Sequence, residues 1–200
     1  EIKKALDCGI KAIAIFPKVS DEKKSSDAKE SFNSNNLVCR CLRSLNTKFP
    51  DLIVICDIAL DAYTLSGHDG IINSFGFVDN DMTIQALSEM SLNFAEFGCK
   101  VVAPSDMMDG RIKIIRETLE KSGYKDTIIL SYSSKFCSNF YSPFRDALGS
   151  KEKLGNNKKS SYQIDYRNSR EAIKESLEDI QEGADVLMVK PAGYYLDVIK

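Results

Sequence analysis

Residues 127–136 read TIILSYSSKF and residues 185–191 read DVLMVKP, two short apolar runs that each lead into a lysine. Runs of this length, rich in Ile, Val and Leu and without clean polar–apolar alternation, are the pattern of strands covered on both faces, as in a parallel sheet. The same pattern recurs upstream at 10–16, 52–58 and 100–104, which with 127–132 and 185–190 predicts five strands. Helical spacing fills the intervals. Leu87, Met90, Phe94 and Phe97 repeat at helical intervals, with Asp81 as N-cap and Gly98 just past the end. Ile112, Ile115 and Leu119 precede Gly123, and Ile173, Leu177 and Ile180 follow Asn168 and Glu171 at capping-box spacing. Strand alternating with helix leaves an open doubly wound sheet or a (β/α) barrel. The strands run into the segments CDIALDAYTLSGHDG, APSDMMDGR, SYSSKF and VKPAGYYLD. A barrel gathers such strand ends around one pocket, and no Gly-rich dinucleotide or P-loop fingerprint stands at a strand-to-helix turn. The barrel is the favoured architecture.

The 200 residues, 43% hydrophobic and 28% charged, suffice for one core, so a single domain over 1–200 is expected. A net charge of −2 offers no basic excess for phosphates, which disfavours nucleic acid as a partner. No apolar run approaches the roughly 20 residues of a membrane span, and EIKKALDCGIKAIAIFP reads as helix then strand rather than a signal peptide. The six cysteines lack the paired spacings of a zinc ribbon or a disulfide scaffold and read as reduced thiols. Cys39 and Cys41 form a C-x-C, but two residues apart on a helix they point to different faces.

Lys135 and Lys190 stand at strand ends, where low dielectric or a second ammonium disfavours the charged form and yields an amine nucleophile. A lone strand-end lysine is also a common snorkelling surface residue, so the residues by themselves leave both roles open. Arg145, in FYSPFRDAL, has an aromatic setting suited to gripping a carboxylate. Residues 149–161, GSKEKLGNNKKSS, suit either a basic lid or an ordinary solvated loop. Asp57, Asp61, His68 and Asp69 crowd the segment after the second strand. Their carboxylates suit Mg²⁺ rather than Zn²⁺, although Asp is equally a turn and cap residue.

CDIALDAYTLSGHDGII, VVAPSDMMDGRI, LSYSSKFCSNFYSPFRDA, SYQIDYRNSREAIKESL and GADVLMVKPAGYYLD resemble the consecutive blocks of the porphobilinogen synthase (5-aminolevulinate dehydratase) family, in order and in spacing. The resemblance covers essentially the whole chain. It implies a (β/α)8 TIM barrel, here about five βα units, lacking the N-terminal arm, the first strand, the last strands and the C-terminal Ser and Tyr that bind one substrate carboxylate. It also implies a lyase that condenses two molecules of 5-aminolevulinate to porphobilinogen through lysine Schiff bases, in heme and tetrapyrrole biosynthesis. Lys190 would hold the propionate-side substrate and Lys135 the acetate-side substrate. Arg145, Lys159 and Gln163 would contact substrate, with Asp57 and Ser105 as polar pocket residues that assist proton transfer.

Two departures from the family pattern stand out. Lys159 occupies the place of a second carboxylate-binding arginine, keeping the charge but losing the planar fork. Ala59, Asp61 and Asp69 stand where zinc-type members carry three cysteines, so no thiolate zinc site is expected and the loop resembles the Asp-rich, magnesium-type branch. Asp61, Asp69 and Glu175 are the metal candidates, Glu175 at an allosteric Mg²⁺ site on a subunit contact. The resemblance further implies a homo-octamer and a plastid- or apicoplast-type organelle, or a cytoplasmic setting. Two other readings remain: a class I aldolase-like enzyme, which needs one imine lysine rather than two, and a degenerate homologue that serves as an oligomer subunit. As an isolated piece, the 200 residues should expose barrel edges.

Overall fold

The structure, a computed structural model, describes residues 1–141 and 159–199. Five strands, β1 (Ala12–Ile15), β2 (Ile53–Ile58), β3 (Val101–Pro104), β4 (Ile128–Lys135) and β5 (Val186–Lys190), form one parallel sheet in sequence order. Sequential order without a reversal is the topology of a barrel arc, since a doubly wound sheet turns back at a switch point. The helices are α1 (Ile2–Asp7), α2 (Leu37–Lys48), α3 (Asn80–Glu96), α4 (Arg111–Lys121) and α5 (Ser169–Glu182).

The predicted strands are all present, and their ends are trimmed except at β4, which continues three residues further to include Lys135. Helix α3 starts on Asp79 rather than Asp81: the Asp79 carboxylate accepts the Met82 N–H at 2.9 Å, leaving Asp81 in the first turn, where a negative charge meets the helix dipole. Leu87, Met90 and Phe94 are fully buried against the sheet, whereas Phe97 lies past the helix end beneath the Arg43 guanidinium. In α2, Cys39 is buried and Cys41 half-buried, as the two-residue offset predicts, and all six cysteines are free.

The main core lies between β1–β4 and helices α2–α4, with Leu42, Leu87, Ile112, Ile115 and Ile129 completely enclosed. A smaller cluster, Met107, Phe136, Ile164 and Ala172, sits where β4, the 159–164 segment and α5 meet. Coverage on both faces holds for β3 but fails at β5, where Val186 and Leu187 are exposed. Helix α5 has its predicted Asn168 cap on the Glu171 N–H, yet its apolar stripe Ile173, Leu177 and Ile180 faces outward. It is the small and polar side of α5 that meets β4: Ser134 donates to the Ala172 carbonyl at 2.9 Å, and Ser131 donates to Asp179 at 2.6 Å.

Beneath that contact lies a buried charge cluster. The Arg111 guanidinium, 2% exposed, contacts Asp106 at 3.5 Å and Asp179 at 3.3 Å and donates to the Ser131 hydroxyl and the Met108 carbonyl. Burial pushes the Asp106 carboxyl up to about 6, against the pull of Arg111. Asp106 in turn accepts the Met108 N–H and shapes the turn after β3. Removing one partner of such a set strands the others in low dielectric, at a cost of about 3–5 kcal/mol. Asp179→Ala should therefore lower unfolding stability by about that much in urea; a loss below about 1 kcal/mol would show that water replaces the carboxylate without penalty.

Candidate active site

Lys135 and Lys190 are register partners on β4 and β5. Neighbouring strands lie about 4.8 Å apart, and residues paired across a parallel ladder project to the same face, so the two amines share one space. A bulge produces this pairing. Ser131 pairs with Leu187 and Ser134 with Val189, so β4 carries one extra residue between the two pairs. In an unbroken register Ser134 would face Lys190, and Lys135 would point to the other side of the sheet.

Lys135 is buried; its ammonium donates to the Ser105 carbonyl and lies 3.7 Å from Asp69. The Lys190 ammonium sits over the Tyr132 ring at 5.1 Å and the Tyr141 ring at 5.5 Å, and the Tyr141 hydroxyl donates to the Lys190 carbonyl. Burial, and then the charge of Lys135, lower the pKa of Lys190 and so enrich its neutral, nucleophilic amine. Asp57, near the end of β2, is pushed up to about 7 by burial and by the neighbouring Asp61 charge, with the Ser105 hydroxyl and both lysines pulling the other way. A carboxyl poised there both donates and accepts protons near neutrality.

The loop after β2 is closed on itself. The Leu60 N–H donates to the Asp69 carbonyl, and the Thr64 hydroxyl donates to the His68 carbonyl. Gly70 sits so close to α3 that a Cβ there would fall 2.5 Å from Val78 and 2.6 Å from the Thr83 hydroxyl, which also accepts the Ile71 N–H. These contacts hold Asp61 and Asp69 together, and Lys159 lies between them at 3.2 Å and 2.9 Å. Lys159, expected at a substrate carboxylate, has its ammonium buried on these two aspartates. Burial alone would lower its pKa, but the Asp61 and Asp69 charges outweigh that and raise it. Asp69 moves the opposite way, held low by Lys135 and Lys159 in spite of its burial.

Residues 159–164 return alongside β4, where the Ile164 N–H donates to the Lys135 carbonyl and the Cys137 N–H to the Ile164 carbonyl. That return buries Gln163 and places the Tyr162 hydroxyl against His68 Nδ1 and the Asp69 N–H. Burial and the charge of Lys159 lower the His68 pKa, which favours a neutral imidazole. Glu175 is apart from this group, in a cleft of about 450 Å³ that Asp109, Glu171 and Glu178 also line. Arg145 and residues 149–158 of the expected lid lie outside the described residues. Among the described residues, no three His, Cys, Asp or Glu side chains converge as a metal-holding set. The Asp61–Asp69 pair therefore does not fit a divalent ion in this arrangement, because the ammonium of Lys159 already takes both carboxylates.

Sequence reasoning missed Tyr132, Tyr141 and the Arg111 cluster. The two tyrosines carried a signal, since both lie within the quoted lysine-containing blocks. Arg111 and Asp106 also lie within a quoted block, but Asp179, which completes the cluster, is 68 residues from Arg111 and no local pattern joins it to them.

Fold and pocket together define a βα-barrel with two adjacent amines at its strand ends. The family profile described as delta-aminolevulinic acid dehydratase matches residues 1–200. The chloroplastic delta-aminolevulinic acid dehydratase of Physcomitrium patens is 48% identical over the whole chain, and delta-aminolevulinic acid dehydratase 1, chloroplastic, of Arabidopsis thaliana is 46% identical over the same span. Each match covers 46% of the relative, so the chain spans about half the length of these curated proteins. The crystal structure of delta-aminolevulinic acid dehydratase (porphobilinogen synthase) from Toxoplasma gondii ME49, in complex with the reaction product porphobilinogen, superposes with a TM-score of 0.96 at 48% identity. That superposition covers 99% of this chain and 56% of the other. The chain belongs to the delta-aminolevulinic acid dehydratase family, and its sheet is part of a (β/α)8 barrel.

The raised Asp57 pKa has a consequence for stability. Between the ordinary value of 3.8 and about 7 the folded state binds more protons than the unfolded state, so stability falls as pH rises through that window. Asp57→Asn should be more stable than the parent at about pH 8, by on the order of 2 kcal/mol, with the difference gone below about pH 4. Thermal melts across this range test it. Equal melting temperatures at the alkaline end would mean that the carboxylate ionises without cost.

Proposed function

We propose that the full-length protein is a 5-aminolevulinate dehydratase, a lyase that condenses two molecules of 5-aminolevulinate to porphobilinogen with loss of water. The observation that carries this reading is the Lys135–Lys190 register pair, with family membership supplying the substrate. Residues 1–200 are taken as a single partial-barrel catalytic domain.

Each lysine would attack the ketone of one substrate and expel water as the imine forms. A protonated imine draws electrons from the adjacent carbon, which eases carbon–carbon bond formation and later proton loss. Burial and the charge of Lys135 shift the Lys190 amine toward its neutral form; Lys190 is assigned the propionate-side substrate and Lys135 the acetate-side one. The two tyrosine faces over Lys190 favour an iminium cation as they favour an ammonium. Asp57, with Ser105 beside it, is assigned proton transfer. Gln163 and Arg145 are assigned to orienting substrate.

A divalent cation, magnesium by chemistry, is assigned to Glu175. The cleft there has carboxylates from Asp109, Glu171 and Glu178 as well, and Mg²⁺ commonly keeps several waters while using only one or two protein carboxylates. The octamer and a plastid-type location belong to the same proposal; the octamer rests on the resemblance and the location on the chloroplastic relatives.

Borohydride reduction of the full-length protein with 5-aminolevulinate should leave adducts on Lys135 and Lys190 in peptide mass spectra, alongside porphobilinogen formation. Lys190→Ala should lower turnover by at least about 10³-fold. Substrate still trapped by a Lys135→Ala/Lys190→Ala double variant would sink the assignment.

A further inference from the structure

Asp61 and Asp69 are hard-oxygen groups on one closed loop, the arrangement that invites a divalent cation. A cation is already there, and it belongs to the chain. The Lys159 ammonium, 6% exposed, lies 3.2 Å from Asp61 and 2.9 Å from Asp69, and Lys135 contacts the far oxygen of Asp69 at 3.7 Å. We propose that Lys159 serves as the resident cation of the Asp61–Asp69 pair, occupying the position a divalent ion would take, so that this loop binds no metal.

Charge balance supports the assignment. Two carboxylates, Asp61 and Asp69, face two ammoniums, Lys159 and Lys135, and the buried set is neutral as it stands. Adding a dication would leave two uncompensated positive charges where desolvation is most costly. Geometry agrees. Mg²⁺ requires oxygen ligands at about 2.0–2.1 Å in an octahedron, so both carboxylates would have to close around the ion and expel the ammonium. A lysine suits the task because its compact charge carries three donors that can be shared between two carboxylates, whereas the planar fork of arginine is built to clasp one.

The proposal concerns cation binding and stands whether or not 5-aminolevulinate is the substrate. Its test is Mn²⁺ stoichiometry, read by electron paramagnetic resonance on the full-length protein and variants, so that any ion at Glu175 is a constant background. Lys159→Met, which keeps the side-chain length and removes the charge, should bind one additional Mn²⁺ per chain. Adding Asp61→Asn to that variant should abolish the gain. In the parent, Asp61→Asn should leave the stoichiometry unchanged. A folded Lys159→Met variant that gains no ion overturns the proposal, as does a parent that loses one Mn²⁺ with Asp61→Asn. The second comparison decides the matter even if Lys159→Met fails to fold.

Discussion

The extra residue in β4 between Ser131 and Ser134 is the constraint from which the rest of the pocket follows. Side chains alternate along a strand, so one inserted residue exchanges the faces of everything beyond it. Here it turns Lys135 to the side of Lys190. The serines around the irregularity make it tolerable. Ser133 reaches the Met188 carbonyl, and Ser134 and Ser176 exchange a hydrogen bond at the α5 surface, so the interrupted ladder keeps polar partners.

Two ammoniums forced onto one face must be compensated, and the surrounding loops supply the means. Asp69 faces Lys135, Asp57 lies within electrostatic reach of both lysines, and the two tyrosine rings give Lys190 a polarisable wall in place of water. Lys135 is also anchored on the Ser105 carbonyl, in the turn that Asp106 and Arg111 hold from below. The buried Arg111 cluster thus links stability to the pocket: it joins α4, β4 and α5 and fixes the turn on which one of the two amines rests.

Much of this was legible in sequence because it depends on local pattern. Apolar runs located the strands, helical spacing located α3, α4 and α5, and the lysines fell at strand ends where a barrel places its chemistry. Non-local information was not legible. The bulge changes neither composition nor period, and Asp79 was passed over for Asp81 because two acidic residues flank Asn80 and only backbone geometry chooses between them. The stripe Ile173, Leu177 and Ile180 located the helix, yet the side of α5 that packs on β4 is the one with Ala172, Ser176 and Asp179. Hydroxyls and a carboxylate were needed there to satisfy β4 and Arg111, which hydropathy alone does not register.

Lys159 shows how the fold supplies partners that residue type and position in the sequence do not display. From sequence it is a cation beside a substrate-contacting glutamine, and a carboxylate of the substrate is the natural partner to assign. The partners it has in the fold lie 98 and 90 residues upstream, on a loop whose closure by the Leu60–Asp69 backbone hydrogen bond creates the two-carboxylate target. Once that target exists, burial holds the ammonium within 3.2 Å of both carboxylates, since release would leave Asp69 with Lys135 alone, 3.7 Å away, in a nearly water-free site. The same ion pair draws the 159–164 segment back across the end of β4, where Ile164 bonds to the Lys135 backbone and Gln163 is buried. Electrostatic compensation of the aspartate loop and placement of the segment beside the end of β4 are therefore one structural event.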